Sequence, residues 1–358
     1  MNRSCNDDNL TAPISYAVTL GVAYGVIFVF AVIGNLSLAI GIIQNWSKMK
    51  TLMNVLVVNL AICDLGLAII GMPFTAVHDI YLYNPLGAGF CFVWLIAMVA
   101  FWSANMITVT GIAIERFVKI IHPEKAKLQA KGGIILVIIC WIISFGMAIP
   151  YALDIVNHYD NRQDRIICYN IQSNLIGRRA FIIFVFVFFF IVPVLVNIML
   201  YSMIVYFIYS KANELRSRSE NLRKRNSKVV TMLMMVVALF ILCWFPFHLS
   251  QLLLKFEPQT LCPLSGRIFI AICNWLALSH CMVNPIIFAS RSEIYGKVMA
   301  GVCKRGKNRI HISPSVLNTD THSAAANKQT IRKYSLNDDR KNRIQPVKLR
   351  RSATVQKF

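Results

Sequence analysis

A chain of 358 residues that is 56% hydrophobic and only 15% charged, with a mean hydropathy of +0.57, has more apolar side chains than a water-soluble core of that size uses. Its formal net charge of +21 would suit a nucleic-acid binder. The basic excess, however, sits in short segments beside apolar runs and in the tail from Lys304 to Phe358, which points to membrane topology and anionic lipid, not to nucleic acid.

A membrane-spanning helix needs about 20 mostly apolar residues. Seven runs meet that length, at residues 17–43, 52–78, 90–117, 132–152, 180–209, 228–254 and 268–289. The expected fold is all-α and integral to the membrane, a bundle of seven transmembrane helices. The second run holds Asp64 deep inside, and the third ends on Glu115–Arg116. Residues 1–16 form a polar segment with no signal-peptide core, so the first span is expected to start insertion.

Basic residues set the orientation. Lys48 and Lys50 follow the first span, Arg116, Lys119, Lys125, Lys127 and Lys131 the third, and Lys211 to Lys228 hold a dense basic group after the fifth. These sides read as cytoplasmic. The opposite side carries Asp7, Asp8, Asp154, Asp160 and Asp164 and so faces outside with the N-terminus. Two N-x-S/T sequons, at Asn2 and Asn9, fall there as candidate glycosylation sites. After the seventh span, residues 291–303 read as a short amphipathic helix on the inner membrane surface. It places Ile294, Val298 and Val302 at four-residue spacing and ends at Cys303, a candidate palmitoylation site. Residues 304–358 are basic, poor in large apolar side chains and expected to be disordered. Ser335 and Ser352, each after a basic cluster, are candidate phosphorylation sites.

The topology puts Cys5, Cys91, Cys168 and Cys262 outside, where disulfides persist. Four cysteines allow three pairings, and the sequence does not choose among them. One choice joins Cys91 at the head of the third span to Cys168 in the long outer loop, leaving Cys5 for Cys262. The other cysteines lie in spans or inside and read as reduced, buried thiols.

Successive spans carry Gly34–Asn35, Asn59 with Asp64, Glu115–Arg116–Phe117, Trp141, Pro193 with Tyr201, Cys243–Trp244–Phe245–Pro246, and Asn284–Pro285 ending at Phe288. Together, one set per span and in order, they resemble the rhodopsin-like (class A) family of G-protein-coupled receptors over about residues 17–303. The resemblance implies a plasma-membrane receptor that converts binding of an extracellular ligand into activation of a heterotrimeric G protein, with arrestin and receptor kinases as further partners.

It also implies roles for particular residues. Arg116, with Glu115 and Tyr201, would form the G-protein-coupling end. Trp244 and the hinges at Pro246 and Pro285 would form the switch, since each proline removes a helix hydrogen bond. Asp64 with Asn105 and Asn284 would hold an allosteric sodium ion, with Asn35 close by; no other metal and no cofactor is expected. Phe101 stands where relatives often carry a polar partner for that ion. Met98 replaces the aspartate of amine receptors and Leu278 the retinal-bearing lysine, which argues against both ligand classes. The upper pocket would then be lined by Trp94, Met98, Phe101, Trp102, Phe247, His248, Gln251, Asn274 and Trp275. A peptide is the first expectation for the ligand, and a lipid or other apolar molecule the second.

Phe117 and Phe288 lack the hydroxyls common at those places, and residues 221–256 contain no acid to latch Arg116. A weak resting latch, and hence signalling without ligand, is the expectation. No nucleophile–base pair, internal repeat or filter suggests an enzyme, transporter or channel. His248 and His280 read as packed residues. The main alternative to a receptor is a receptor-like membrane scaffold that does not signal.

Overall fold

The computed structural model describes residues 13–81, 88–122, 130–153, 158–160, 165–167, 175–210, 220–256, 264–291 and 295–302, though not the side chains at some of their ends, among them 91, 150–153, 158–160, 165–167 and 220–226. Seven helices in it are long and apolar enough to cross a membrane. We label them α1 (Ile14–Gln44), α2 (Leu52–Tyr81), α3 (Ala88–Ile121), α4 (Ala130–Leu153), α5 (Leu175–Phe186 running through Val187–Ile191 into Val192–Ser210), α6 (Glu220–Phe256) and α7 (Leu264–Arg291). Between α4 and α5, β1 (His158–Asp160) and β2 (Arg165–Ile167) pair antiparallel, with Tyr159 opposite Ile166.

Each helix covers the run expected from the sequence and overshoots it. Polar residues at a span's end continue the helix once they have left the hydrocarbon, because hydropathy measures the bilayer and not the hydrogen-bond ladder. The overshoot is largest at the start of α6, whose ladder begins at Glu220 and not near Lys228.

Prolines shape three of the helices. In α2 the turn Leu67–Gly71 widens to π geometry just before Pro73, and in α5 Val187–Ile191 does so just before Pro193. A proline offers no N–H to the carbonyl four residues back, and its ring crowds that carbonyl; a widened turn relieves both. In α7, Pro285 deprives the Cys281 carbonyl of its donor, and Asn35 Nδ2 of α1 supplies one at 2.8 Å. The two helices touch closely there, since a Cβ on Gly34 would lie 2.6 Å from the Pro285 ring.

Lipid tails are as apolar as leucine, so small residues and interhelical hydrogen bonds hold such a bundle, not hydrophobic exclusion alone. Asn59 Nδ2 of α2 donates to Thr108 Oγ1 of α3 (2.7 Å) while its Oδ1 accepts from Trp141 Nε1 of α4 (2.9 Å). Asn197 of α5 donates to Thr110 Oγ1 of α3 at 2.9 Å. Large apolar side chains cover the outward faces: Ile134, Ile135, Ile138, Ile139 and Ile142 on α4, and Phe188, Leu195, Ile198 and Met199 on α5, all stand exposed. A face of that extent requires lipid around it.

Beyond α7, residues 295–302 are helical. Tyr295 is buried, and Val298 and Met299 pack on the inner core with Leu52, Met53 and Ile42. Of the expected stripe, Val298 packs on this core and Ile294 lies outside the described residues, while the Tyr295 hydroxyl donates to Asn54 Oδ1 at 2.7 Å. Burial pushes that hydroxyl up to about 12, so it remains a protonated donor.

Candidate functional site

Besides the interhelical bonds of Asn59 and Asn197, three groups of polar side chains lie inside the bundle. The first lies at the end where α1 begins. Asp79 of α2, 3% exposed, accepts from Tyr24 Oη of α1 (2.8 Å) and from Asn274 Nδ2 of α7 (3.0 and 3.2 Å), with His78 Nδ1 at 3.3 Å. Tyr16 Oη adds a bond to the Asp79 backbone carbonyl at 3.1 Å. The sequence reading ended the second span at His78 and missed this carboxylate. An ionisable residue one position past an apolar run was the available signal.

Below it, Trp102, Trp244, Phe247 and His248 make contiguous ring contacts, with Trp102 and His248 centroids 4.8 Å apart and Phe186 and Phe190 of α5 closing the group. Trp94 lies apart from it, stacked on His78. Four polar atoms of the expected pocket residues are buried without a hydrogen-bond partner among the described residues: Trp94 Nε1, Trp102 Nε1, Trp275 Nε1 and His248 Nε2. Natural interiors seldom leave such atoms unpaired.

Phe101 and Met98 pack on the same apolar cluster as Trp102 and Trp244 and also reach the neighbouring helices. Phe101 faces α2 and α4, meeting Trp141 edge-on at 5.3 Å and filling the space beside Gly66, where a Cβ would collide with its ring. Met98 Sδ packs against Gly71 of α2 in the same way. A glycine facing α3 at each point lets the larger side chain turn aside. Asn274, for its part, is committed to Asp79.

The second group surrounds Asp64, which is fully buried. Its Oδ1 accepts from Asn105 Nδ2 (2.7 Å) and its Oδ2 from Asn284 Nδ2 (2.8 Å). His280 Nε2 stands 3.3 Å from Oδ1. The sequence reading took His280 as a packed residue, yet it joins Asp64 to the switch region: Trp244 Nε1 lies 3.1 Å from His280 Nδ1, and the Ala277 carbonyl lies 2.7 Å from the same nitrogen. An indole N–H and a carbonyl ask opposite roles of Nδ1, so each tautomer satisfies one of them. Asn35 is bonded to backbone carbonyls of Ala31 and Cys281 and not to Asp64.

A sodium ion takes oxygen ligands, whereas these residues turn N–H groups, an imidazole and the Cys281 thiol toward the carboxylate, with Phe101 in place of a further oxygen donor.

The third group lies at the opposite end. Arg116 Nε is 2.5 Å from Glu115 Oε2 without hydrogen-bond alignment, and Lys119 Nζ is 3.7 Å from Glu115 Oε1. The Tyr201 hydroxyl is buried and makes no hydrogen bond among the described residues. Phe288, fully buried, meets Tyr295 edge-on at 5.4 Å. The side chains of Arg225 and Asn226, where a latch was sought in the sequence, lie outside the described residues, as do Asn2, Cys5, Asn9, Cys168, Cys262 and Cys303 and the side chain of Cys91. Cys63, Cys140, Cys243, Cys273 and Cys281 are free, buried thiols.

Seven apolar spans, a polar core joined to a tryptophan beside a proline hinge, and an arginine at the end of α3 define a membrane receptor, not an enzyme. The sequence matches the family described as 7 transmembrane receptor (rhodopsin family) over residues 34–288, and the chain belongs to that family. Among its curated relatives, the QRFP-like peptide receptor of Branchiostoma floridae is 29% identical over 328 residues, covering 86% of this chain and 84% of its own length. The galanin receptor type 1 of Rattus norvegicus is 27% identical, covering 82% and 88%. The tachykinin-like peptides receptor 86C of Drosophila melanogaster is 24% identical and covers 86% of this chain, which in turn spans 64% of that relative.

Proposed function

We propose that this protein is a peptide receptor of the plasma membrane, with its N-terminus outside, that activates a heterotrimeric G protein when a peptide enters the mouth above Trp244. The observation that carries this reading is the set of unpaired atoms in the pocket residues, three of them indole N–H donors. A peptide is rich in carbonyl acceptors that match them, while a hydrocarbon ligand would leave them unpaired. Two of the relatives are named as receptors for peptides, which agrees with it.

The signal would pass along contacts already described. A ligand pressing on Trp102, Phe247 and His248 shifts Trp244 at the Pro246 hinge. Trp244 bears on His280, which bears on Asp64 and Asn284 beside the Pro285 hinge. The far end then frees Arg116 from Glu115 to meet the G protein. Arrestin and receptor kinases would act on that same face and the tail, and anionic lipid would hold the basic loops.

The test is nucleotide exchange on a panel of G proteins, in membranes with matched receptor levels, against peptide and lipid libraries. Peptide-driven exchange that Arg116→Ala abolishes is the expected result. Exchange at mock level with every G protein and every ligand class would leave the non-signalling scaffold as the better reading. Exchange driven by lipids alone would refute the peptide.

A further inference from the structure

We propose that Arg179, near the outer start of α5, docks a carboxylate of the ligand. The activating peptide then carries a free C-terminal carboxylate, or an Asp or Glu side chain, that enters the mouth on the α5–α6 side. This deepens the peptide reading above and rests on it. The Arg179 guanidinium lies over the Phe256 ring at the end of α6, its carbon 5.1 Å from the ring centroid. Its Nε is buried without a hydrogen-bond partner, and no carboxylate pairs with it among the described residues.

The helix places this cation above the pocket. Arg179 and Phe186 are seven residues apart on a regular stretch of α5, which is two helical turns and one face. Phe186 meets His248 at 5.7 Å between centroids, in the aromatic wall of the pocket. The guanidinium therefore stands about 10 Å along α5 on the outer side of that wall. Phe256 covers one flat face of it, whereas the N–H groups point outward in its plane and are not used by stacking. A carboxylate offers the matching two-oxygen fork, and such charge-assisted pairs are stronger than neutral hydrogen bonds.

Other charges at the mouth settle which wall takes the acid. Arg267, near the outer start of α7, already has an interaction partner. Asp79 belongs to the wall made by α1, α2 and α7, while α5 packs with α3 and α6. Both Asp79 oxygens accept, from Tyr24 Oη and from Asn274 Nδ2, which is how a carboxylate anion is held. A second carboxylate is repelled there and drawn to Arg179, so the acidic group of the ligand has one side of the mouth open to it.

The experiment uses the full-length receptor in nanodiscs and reads binding without G protein. Random-sequence synthetic peptide pools are made in three forms: the free acid, the C-terminal amide, and the free acid with Asp and Glu replaced by Asn and Gln. Affinity selection with mass spectrometry finds the bound peptides, and fluorescence anisotropy gives their Kd. A bound peptide should weaken about 10- to 100-fold as the amide if its C-terminus docks, or in the Asn/Gln form if a side chain docks. Arg179→Gln should cost the acid-bearing form the same factor and the form without that carboxylate nothing further, a coupling that a merely structural arginine does not give. Arg179→Lys keeps the charge without the fork and should fall between, and thermal midpoints without peptide check folding. Bound peptides indifferent to both carboxylate replacements, or an equal loss in Arg179→Gln for all forms, would overturn the proposal and leave the peptide reading standing. No peptide bound in any form would remove both. Should Arg179→Gln fail to fold, Arg179→Lys decides: a loss confined to the acid-bearing form supports the proposal, and no loss overturns it.

Discussion

Asn35 does for Pro285 what a backbone N–H does elsewhere in α7, and that makes a specific claim about stability. Asn35→Ala leaves the buried Cys281 carbonyl without a donor, since its only other candidate is the nitrogen that Pro285 has closed into a ring. Interhelical hydrogen bonds in membranes are worth on average about 0.6 and at most about 1.7 kcal/mol. A carbonyl with no replacement belongs toward the upper value. Pro285→Ala restores the N–H, so in that background Asn35→Ala should cost much less, and the coupling in the double-mutant cycle should be about 1 kcal/mol. The space that alanine opens at position 35 is common to both backgrounds and cancels. Thermal inactivation in detergent, followed by fluorescence size exclusion, gives the four midpoints. Equal losses in the two backgrounds would refute the assignment of this bond.

Trp244→Phe keeps a ring but removes the donor to His280 Nδ1; losing about 0.6 kcal/mol of the arrangement described here should raise ligand-free nucleotide exchange about threefold, and an unchanged basal rate would sever that bond from signalling. Gly34→Ala puts a methyl 2.6 Å from Pro285, and forcing the helices apart should destabilise by about 1–3 kcal/mol, read as a lower thermal midpoint. With no acid anywhere in residues 221–256, Asn226→Glu supplies a partner for Arg116 and should lower ligand-free exchange about fivefold, from about 1 kcal/mol at a partly wet helix end; no change would show that another contact latches the arginine. Peptide mapping without reduction should recover Cys91 linked to Cys168, and two unlinked peptides would exclude that pairing.

The spans were legible because bilayer thickness writes itself into run length. Asp64 was legible too, because a carboxylate in hydrocarbon needs explaining whatever surrounds it. Partners were harder. His280 carries no one-dimensional signal of its role: its ring reaches Asp64 and Trp244 only through the crossing of α2, α6 and α7, and a lone histidine on an apolar face gives no hint of that. The contacts of Phe101 with Gly66 and of Met98 with Gly71 escape a reading confined to α3, because the glycines that admit them lie on the neighbouring helix. Tyr295 was hidden for a related reason, since an interfacial stripe predicts contact with lipid and says nothing of Asn54 beneath it.

The widened turns ahead of Pro73 and Pro193 also govern phase. An α-helix advances about 100° with each residue, and a π turn absorbs one residue without that advance. Everything on the far side of Leu67–Gly71, including Thr75, His78 and Asp79, is thereby rotated about the helix axis relative to the half that carries Asp64. A wheel drawn with a uniform pitch from Asp64 assigns Asp79 to the wrong side by roughly a quarter of a circle. Deleting one residue within Leu67–Gly71 would therefore let the turn close to α geometry and leave the carboxylate still facing Tyr24 and Asn274, whereas closing the turn with every residue kept would swing it away from them.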